Sequence, residues 1–273
     1  MWSAIVVCVV AALLLLYQGL NATGLTSSKP FKGLLFSIAL LTGLVACPVL
    51  WFSLNPGEPA VSIDLSAPGQ QLVLGDSGPG VLRVSGKPVE GSTAKKGTII
   101  VAKLQAAGGD SNDQLVAQFQ LGSLNADAAE DGIAMEENLA ANLPVGVLGS
   151  GATLTLSNLA PPGVVTLTVD YFPQRLPLQI MLYALIGLTL LAALFEGAGD
   201  SRYLRSFLTA VVAGVTGLTW ILRDGLTANE GMMSLALRVG YAIGIAALVG
   251  TILPMITGVF MPKLPQEDQP ASR

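Results

Sequence analysis

The distribution of apolar and polar positions divides the chain into two kinds of material. Five stretches are apolar almost without interruption: Trp2 to Leu20, Gly33 to Leu54, Leu176 to Phe195, Ser206 to Leu222 and Ser234 to Met261, the last holding one charge, Arg238. A helix rises about 1.5 Å per residue and needs about 20 apolar residues to cross the hydrocarbon of a bilayer. All five stretches are expected to span, the fourth with its flanks supplying a missing turn. The segment from Ser53 to Gln174 alternates instead. In Val164–Tyr171, Val165, Leu167, Val169 and Tyr171 share one face and Thr166, Thr168 and Asp170 the other; in Ala152–Leu159, Leu154 and Leu156 oppose Thr153, Thr155 and Ser157. A period of two in β-branched residues is the pattern of a half-buried strand.

The same reasoning predicts strands at Ala60–Leu65, Gln70–Leu74, Gly80–Ser85, Thr98–Gln105 and Leu115–Leu121, with a corner at Ala160-Pro161-Pro162-Gly163. Seven short strands between Gly, Pro and Asp turns resemble, in pattern only, an immunoglobulin- or fibronectin-like β-sandwich. Asn125 to Leu143 reads as helix or loop, with Asn125 as N-cap and Ala126, Ala128, Ala129, Ala134, Ala140 and Ala141 as helix formers. The expected fold is a mixed membrane protein: five transmembrane helices and an extracytoplasmic β-sandwich inserted between helices 2 and 3. Residues 1–54 hold the first two helices, 55–174 the β domain, 175–262 the remaining three, and 263–273 a cytoplasmic tail.

Basic residues near helix ends set orientation. Lys29 and Lys32, Arg202 and Arg205, and Lys263 and Arg273 fall on one side, assigned to the cytoplasm; Arg175, Arg223 and Arg238 count against this. The N-terminus and β domain then lie outside. The β segment has no cysteine and so no disulfide, which fits a bacterial periplasm and a multi-pass protein of the cytoplasmic (inner) membrane. The first apolar block lacks the basic start and A-x-A site of a cleaved signal. Leu44-Val45-Ala46-Cys47, following Lys29 and Lys32, resembles the lipobox of bacterial lipoprotein signals, but a whole spanning stretch lies upstream of it.

Composition removes several chemistries. The chain has no histidine, a net charge of −4, 52% hydrophobic and only 12% charged residues. Imidazole catalysis, HExxH zinc sites and His-ligated haem are excluded, and no basic face suggests nucleic acid. Two cysteines, Cys8 and Cys47, cannot make a four-cysteine zinc site; they sit at similar depth and read as small hydrophobes. Gly75–Gly80, GDSGPG, resembles the nucleophile loop GDSGGP of trypsin-like serine proteases. Without histidine, Ser77 would need a lysine, and nothing in the spacing brings Lys87, Lys95 or Lys96 to it; a turn is the simpler reading. Asp110 to Asp113 and Glu130, Asp131, Glu136 and Glu137 lack EF-hand spacing and read as solvated loops. No cofactor or metal is expected.

Within the apolar stretches, small residues carry the clearest signal. Gly240 and Gly244, with Ala236 and Ala247, form one stripe, and Gly214 and Gly217, with Ala210 and Ala213, another. Such stripes let helix backbones approach closely in lipid, either within a chain or between subunits. Arg238 reads as an anchor at a helix end or as an ion-pair partner of Asp224 or Glu230. The expected function is a non-enzymatic subunit of a larger membrane complex. Its partners would be the lipid bilayer and other membrane subunits or copies of itself, and its β domain would serve protein–protein or envelope contact. The alternative is a ligand-sensing or transport-associated component, with the β domain as binding module and Thr189, Thr216, Thr219 and Thr251 lining a polar path.

Overall fold

A computed structural model describes residues 2–24, 29–77, 79–89, 99–108, 111–120, 140–145, 149–198, 207–225 and 232–260. Among these the chain order is α1 (Trp2–Gly24), α2 (Lys29–Leu54), β1 (Val61–Leu65), β2 (Gln71–Ser77), β3 (Gly80–Pro88), β4 (Ile99–Gly108), β5 (Ser111–Gln120), β6 (Ala140–Val145), β7 (Gly149–Ala160), β8 (Val165–Pro173), α3 (Leu178–Ala198), α4 (Leu208–Leu222) and α5 (Met232–Phe260). The chain divides into a helical unit, 1–55 with 176–223 and 233–273, and a β unit, 56–175 with 224–232.

In the β unit, two antiparallel four-stranded sheets have the orders β1-β8-β3-β6 and β2-β7-β4-β5. Leu65, Leu82, Val84, Leu167 and Val169 from the first and Ile100, Leu104, Leu154 and Leu156 from the second meet in one buried core. These are the inward positions of the alternating strands, so the period-two pattern and the core have one cause. The ladder pairs β1 with β8, β2 with β7, β3 with β6 and β4 with β5. That is one long hairpin rolled so that β3 also meets β8 and β4 also meets β7. Eight strands connected this way have jelly-roll connectivity. The immunoglobulin order differs: there the first two strands share a sheet, whereas here β1 and β2 belong to different ones.

Two local expectations change. Ala140 to Leu143, expected in a helix or loop, are the start of strand β6, paired with β3 through Val84↔Ala141 and Leu82↔Leu143. Cross-strand pairing overrides alanine's helix preference, and Pro144 is tolerated because β6 is the edge of its sheet. The rest of 125–143 lies outside the described residues. Gly75, Asp76 and Ser77 of the GDSGPG stretch end β2, whose register against β7 shifts twice there, rather than forming the turn themselves. A Cβ at Gly80 would stand 2.6 Å from the Phe172 carbonyl oxygen, so only glycine lets β3 start against β8.

In the helical unit, α1, α2, α3 and α5 are long and apolar enough to cross a membrane, while α4, with 15 residues, is a shorter apolar helix. Among the described residues the expected extra turn is not seen: α4 starts after Phe207, whose φ of 53 is left-handed, and stops at Leu222. At 1.5 Å per residue α4 is about 22 Å long, short of a hydrocarbon core of about 30 Å. Nine of its residues are buried, Leu208, Thr209, Val212, Ala213, Val215, Thr216, Gly217, Thr219 and Leu222, so most of its surface faces protein, with Trp220 exposed.

Contacts fix the helix directions. α1 presents Ala4, Val7, Ala11, Leu15, Gly19 and Ala22 as a buried stripe at helical spacing. It runs antiparallel to α2: a Cβ at Gly19 would lie 2.9 Å from Ala39 Cβ, and one at Gly43 would lie 3.6 Å from Leu15 Cδ1. Phe31 of α2 packs edge-on against Phe195 of α3, ring centroids 5.5 Å apart. α5 is antiparallel to α4, since Gly250 meets Ala210 while Gly217 meets Ile245. α3 is also antiparallel to α4, since Glu196 meets Leu208 while Thr189 meets Thr216, so α3 and α5 are parallel, and their C-terminal ends touch at Gly197 and Gly258. The chain therefore returns from the end of α3 to the start of α5 along the length of α4.

Candidate functional site

A short apolar helix enclosed by others has a problem at each end, because its first amides and last carbonyls lack partners within the helix. Phe207 offers no side-chain cap to α4. The cap comes from α3 instead. Glu196, 2% exposed, accepts from the Leu208 backbone N–H through Oε1 at 2.7 Å and from the Thr209 N–H through Oε2 at 3.2 Å. The carboxylate also suits the positive end of the helix dipole. At the opposite end, Ser53 Oγ of α2 donates to the Arg223 carbonyl at 3.0 Å, and the Arg223 guanidinium stands 4.9 Å from the Trp220 ring.

Hydroxyls mark the rest of this interior. Thr189 and Thr216 face each other across α3 and α4, with oxygens 3.1 Å apart, and Thr189 donates to the Leu185 carbonyl at 2.9 Å. Thr219 bonds back to the Val215 carbonyl, and Thr251, exposed on α5, to that of Ala247. The four threonines expected along a polar path are thus engaged with helix carbonyls or with each other. Thr257 Oγ1 of α5 donates to the Ala193 carbonyl of α3 at 2.8 Å. Thr209 Oγ1, fully buried beside the Glu196 cap, has no hydrogen-bond partner among the described residues.

The sequence-derived interface residues fall into two groups. A Cβ at Gly214 would lie 3.1 Å from Ala246 Cβ, and one at Gly217 3.6 Å from Ile245 Cγ2, so the α4 stripe packs against α5 of the same chain. Gly240 and Gly244 have nothing within 4 Å of that position. Arg238 is half-buried, in the second turn of α5; Glu230 lies outside the described residues. Two glycines that the sequence reading passed over, Gly197 and Gly250, make the closest helix contacts. A Cβ at Gly197 would land on Thr257 Oγ1 and 2.7 Å from the Gly258 nitrogen, and one at Gly250 would stand 2.6 Å from Ala210 Cα. Gly250 and Gly258, eight apart on one helix face, were the available signal.

Among the described residues no group of three or more His, Cys, Asp or Glu could hold a metal ion. On the β unit, Ser62 donates to Asp170 at 2.5 Å and Thr168 to Asp64 at 2.6 Å, cross-strand pairs on an exposed face. Arg83 lies 5.0 Å from the Phe172 ring. Burial pushes the Tyr171 phenol above its ordinary value. Between α1 and α2 runs an apolar groove of about 430 Å³, lined by Leu15, Phe36, Ala39, Gly43, Cys47 and Pro48 among others. No known family matches the chain, and neither a curated protein nor a solved structure is significantly similar to it.

Proposed function

We propose that this chain is a non-enzymatic integral subunit of a larger membrane assembly, docked through α5. It would reside in a bacterial cytoplasmic membrane, with the N-terminus and the β unit, read as a sandwich, on the periplasmic side for protein or envelope contact and the C-terminus in the cytoplasm. The observation that carries the proposal is the open face of α5. Of its most apolar stretch only 6% is buried within the chain, against 28–39% for α1, α2 and α3. That open surface includes Ala236, Gly240, Gly244 and Ala247, all exposed, with no atom within 4 Å of a Cβ placed at either glycine. Lipid chains gain little from a smooth glycine face, whereas a second helix gains van der Waals contact over its whole length. The membrane setting itself rests on the four long apolar helices.

Extraction in mild detergent followed by mass measurement tests this reading. The expected particle is heavier than one 28.1 kDa chain plus detergent, and Gly240→Leu with Gly244→Leu releases the chain as a folded monomer. A wild-type chain that emerges alone overturns the proposal.

A further inference from the structure

Cys8 and Cys47, the only cysteines of the chain, are free thiols from different helices. Cys8 Sγ lies 3.5 Å from the Cys47 carbonyl oxygen, and Cys47 Sγ lies 3.8 Å from the Cys8 carbonyl oxygen. Each sulfur rests against the other residue's backbone, so both occupy one gap between α1 and α2. Rotation about χ1 is the motion available to bring the sulfurs to bonding distance, near 2 Å. We propose that this pair is a redox site that closes to a disulfide stapling α1 to α2, with a lipid-soluble quinone as the electron acceptor.

The reaction balances without any other component. The two thiols lose two protons and two electrons as the S–S bond forms, and the quinone takes up both to become the hydroquinone. The choice of acceptor rests on the membrane reading; the disulfide does not. Cys8 stands six residues, about 9 Å of helix, from Trp2, and Cys47 seven residues, about 10 Å, from Leu54, so both are within the apolar length of their helices. α1 carries no Lys or Arg, and the nearest of α2, Lys32, is about 22 Å of helix from Cys47. Nothing basic in either helix promotes exchange with a water-soluble disulfide. Access is lateral: Cys47 lines the apolar groove, whose rim residues Leu16, Leu40 and Leu44 are exposed. The staple would fix the register of α1 against α2 a few turns before the chain enters the β unit.

The test uses the full chain in native-lipid membranes, oxidised either by copper–phenanthroline or by a fully substituted benzoquinone, which accepts electrons without alkylating thiols. The chain is then denatured, treated with maleimide and weighed by intact mass spectrometry. The expected result with both oxidants is a monomer lacking two hydrogens and taking up no maleimide, while a reductant restores both labelling sites. Cys8→Ser should leave Cys47 labelled after either oxidant. Two maleimide adducts after copper–phenanthroline, or a Cys47 still protected in Cys8→Ser, overturns the disulfide. Closure by copper–phenanthroline but not by the quinone overturns the acceptor.

Discussion

Glu196 of α3 holds the backbone N–H of Leu208, the first residue of α4, at 2.7 Å, and does so while 2% exposed. A carboxylate in the last turn of one helix thereby caps the start of the next. It gives acceptors to the first two amides of a short, largely buried helix whose own N-cap residue offers none.

Replacing Glu196 with alanine leaves two buried amides without this acceptor. The expected cost is about 2–4 kcal/mol, with Glu196→Gln losing roughly half as much because an amide oxygen still accepts. Thermal unfolding in detergent, followed by helical circular dichroism, should rank the proteins wild type, Glu196→Gln, Glu196→Ala. Equal midpoints would show that the cap carries no stability.

Glycines inside and outside the chain should separate by assay. Gly197→Val and Gly250→Val drive a side chain into α5 and α4 backbone atoms, costing about 1–3 kcal/mol or more by overpacking. Gly240→Leu and Gly244→Leu meet nothing and should leave the unfolding midpoint of the isolated chain unchanged.

The β unit should depend on its rolled-hairpin core. Leu154, fully buried, lies in β7 between β2 and β4. Leu154→Ala should destabilise the unit by about 2–5 kcal/mol, read as loss of protease resistance in residues 56–175.

Tyr171 gives that unit an alkaline limit. Its phenol is held neutral by burial, so its folded value exceeds the unfolded one of about 10. The stability it adds is present below about pH 10 and is lost as the pH rises through the higher folded value. Tyr171 is the one tyrosine between residues 56 and 175, so phenolate absorbance of a chain carrying Phe at the other four tyrosines should appear together with loss of β structure. Titration near pH 10 without unfolding would contradict this.

Much of the architecture was legible in the sequence because lipid and a β core impose simple periods. Val165, Leu167, Val169 and Tyr171 alternate, and they are buried on β8. The misses have specific causes. β6 contains Pro144 and two alanines and no alternation, so only its partner β3 reveals it. The sheet order depends on long-range pairing that local patterns do not encode. Glu196 looked like a boundary residue at the end of an apolar run; it is buried because α4 folds back onto that end. Cys8 and Cys47 could be placed at similar depth, but their contact required the antiparallel register of α1 and α2.

The proposed topology requires α4, despite its 15 residues, to carry the chain from one face to the other, and the parallel run of α3 and α5 supports this. In a chain freed of its native cysteines, Gln118→Cys in the β unit and Ala271→Cys in the tail should be labelled from opposite faces of sealed membrane vesicles by an impermeant maleimide. Labelling of both from the same face would mean an even number of crossings and would contradict the account.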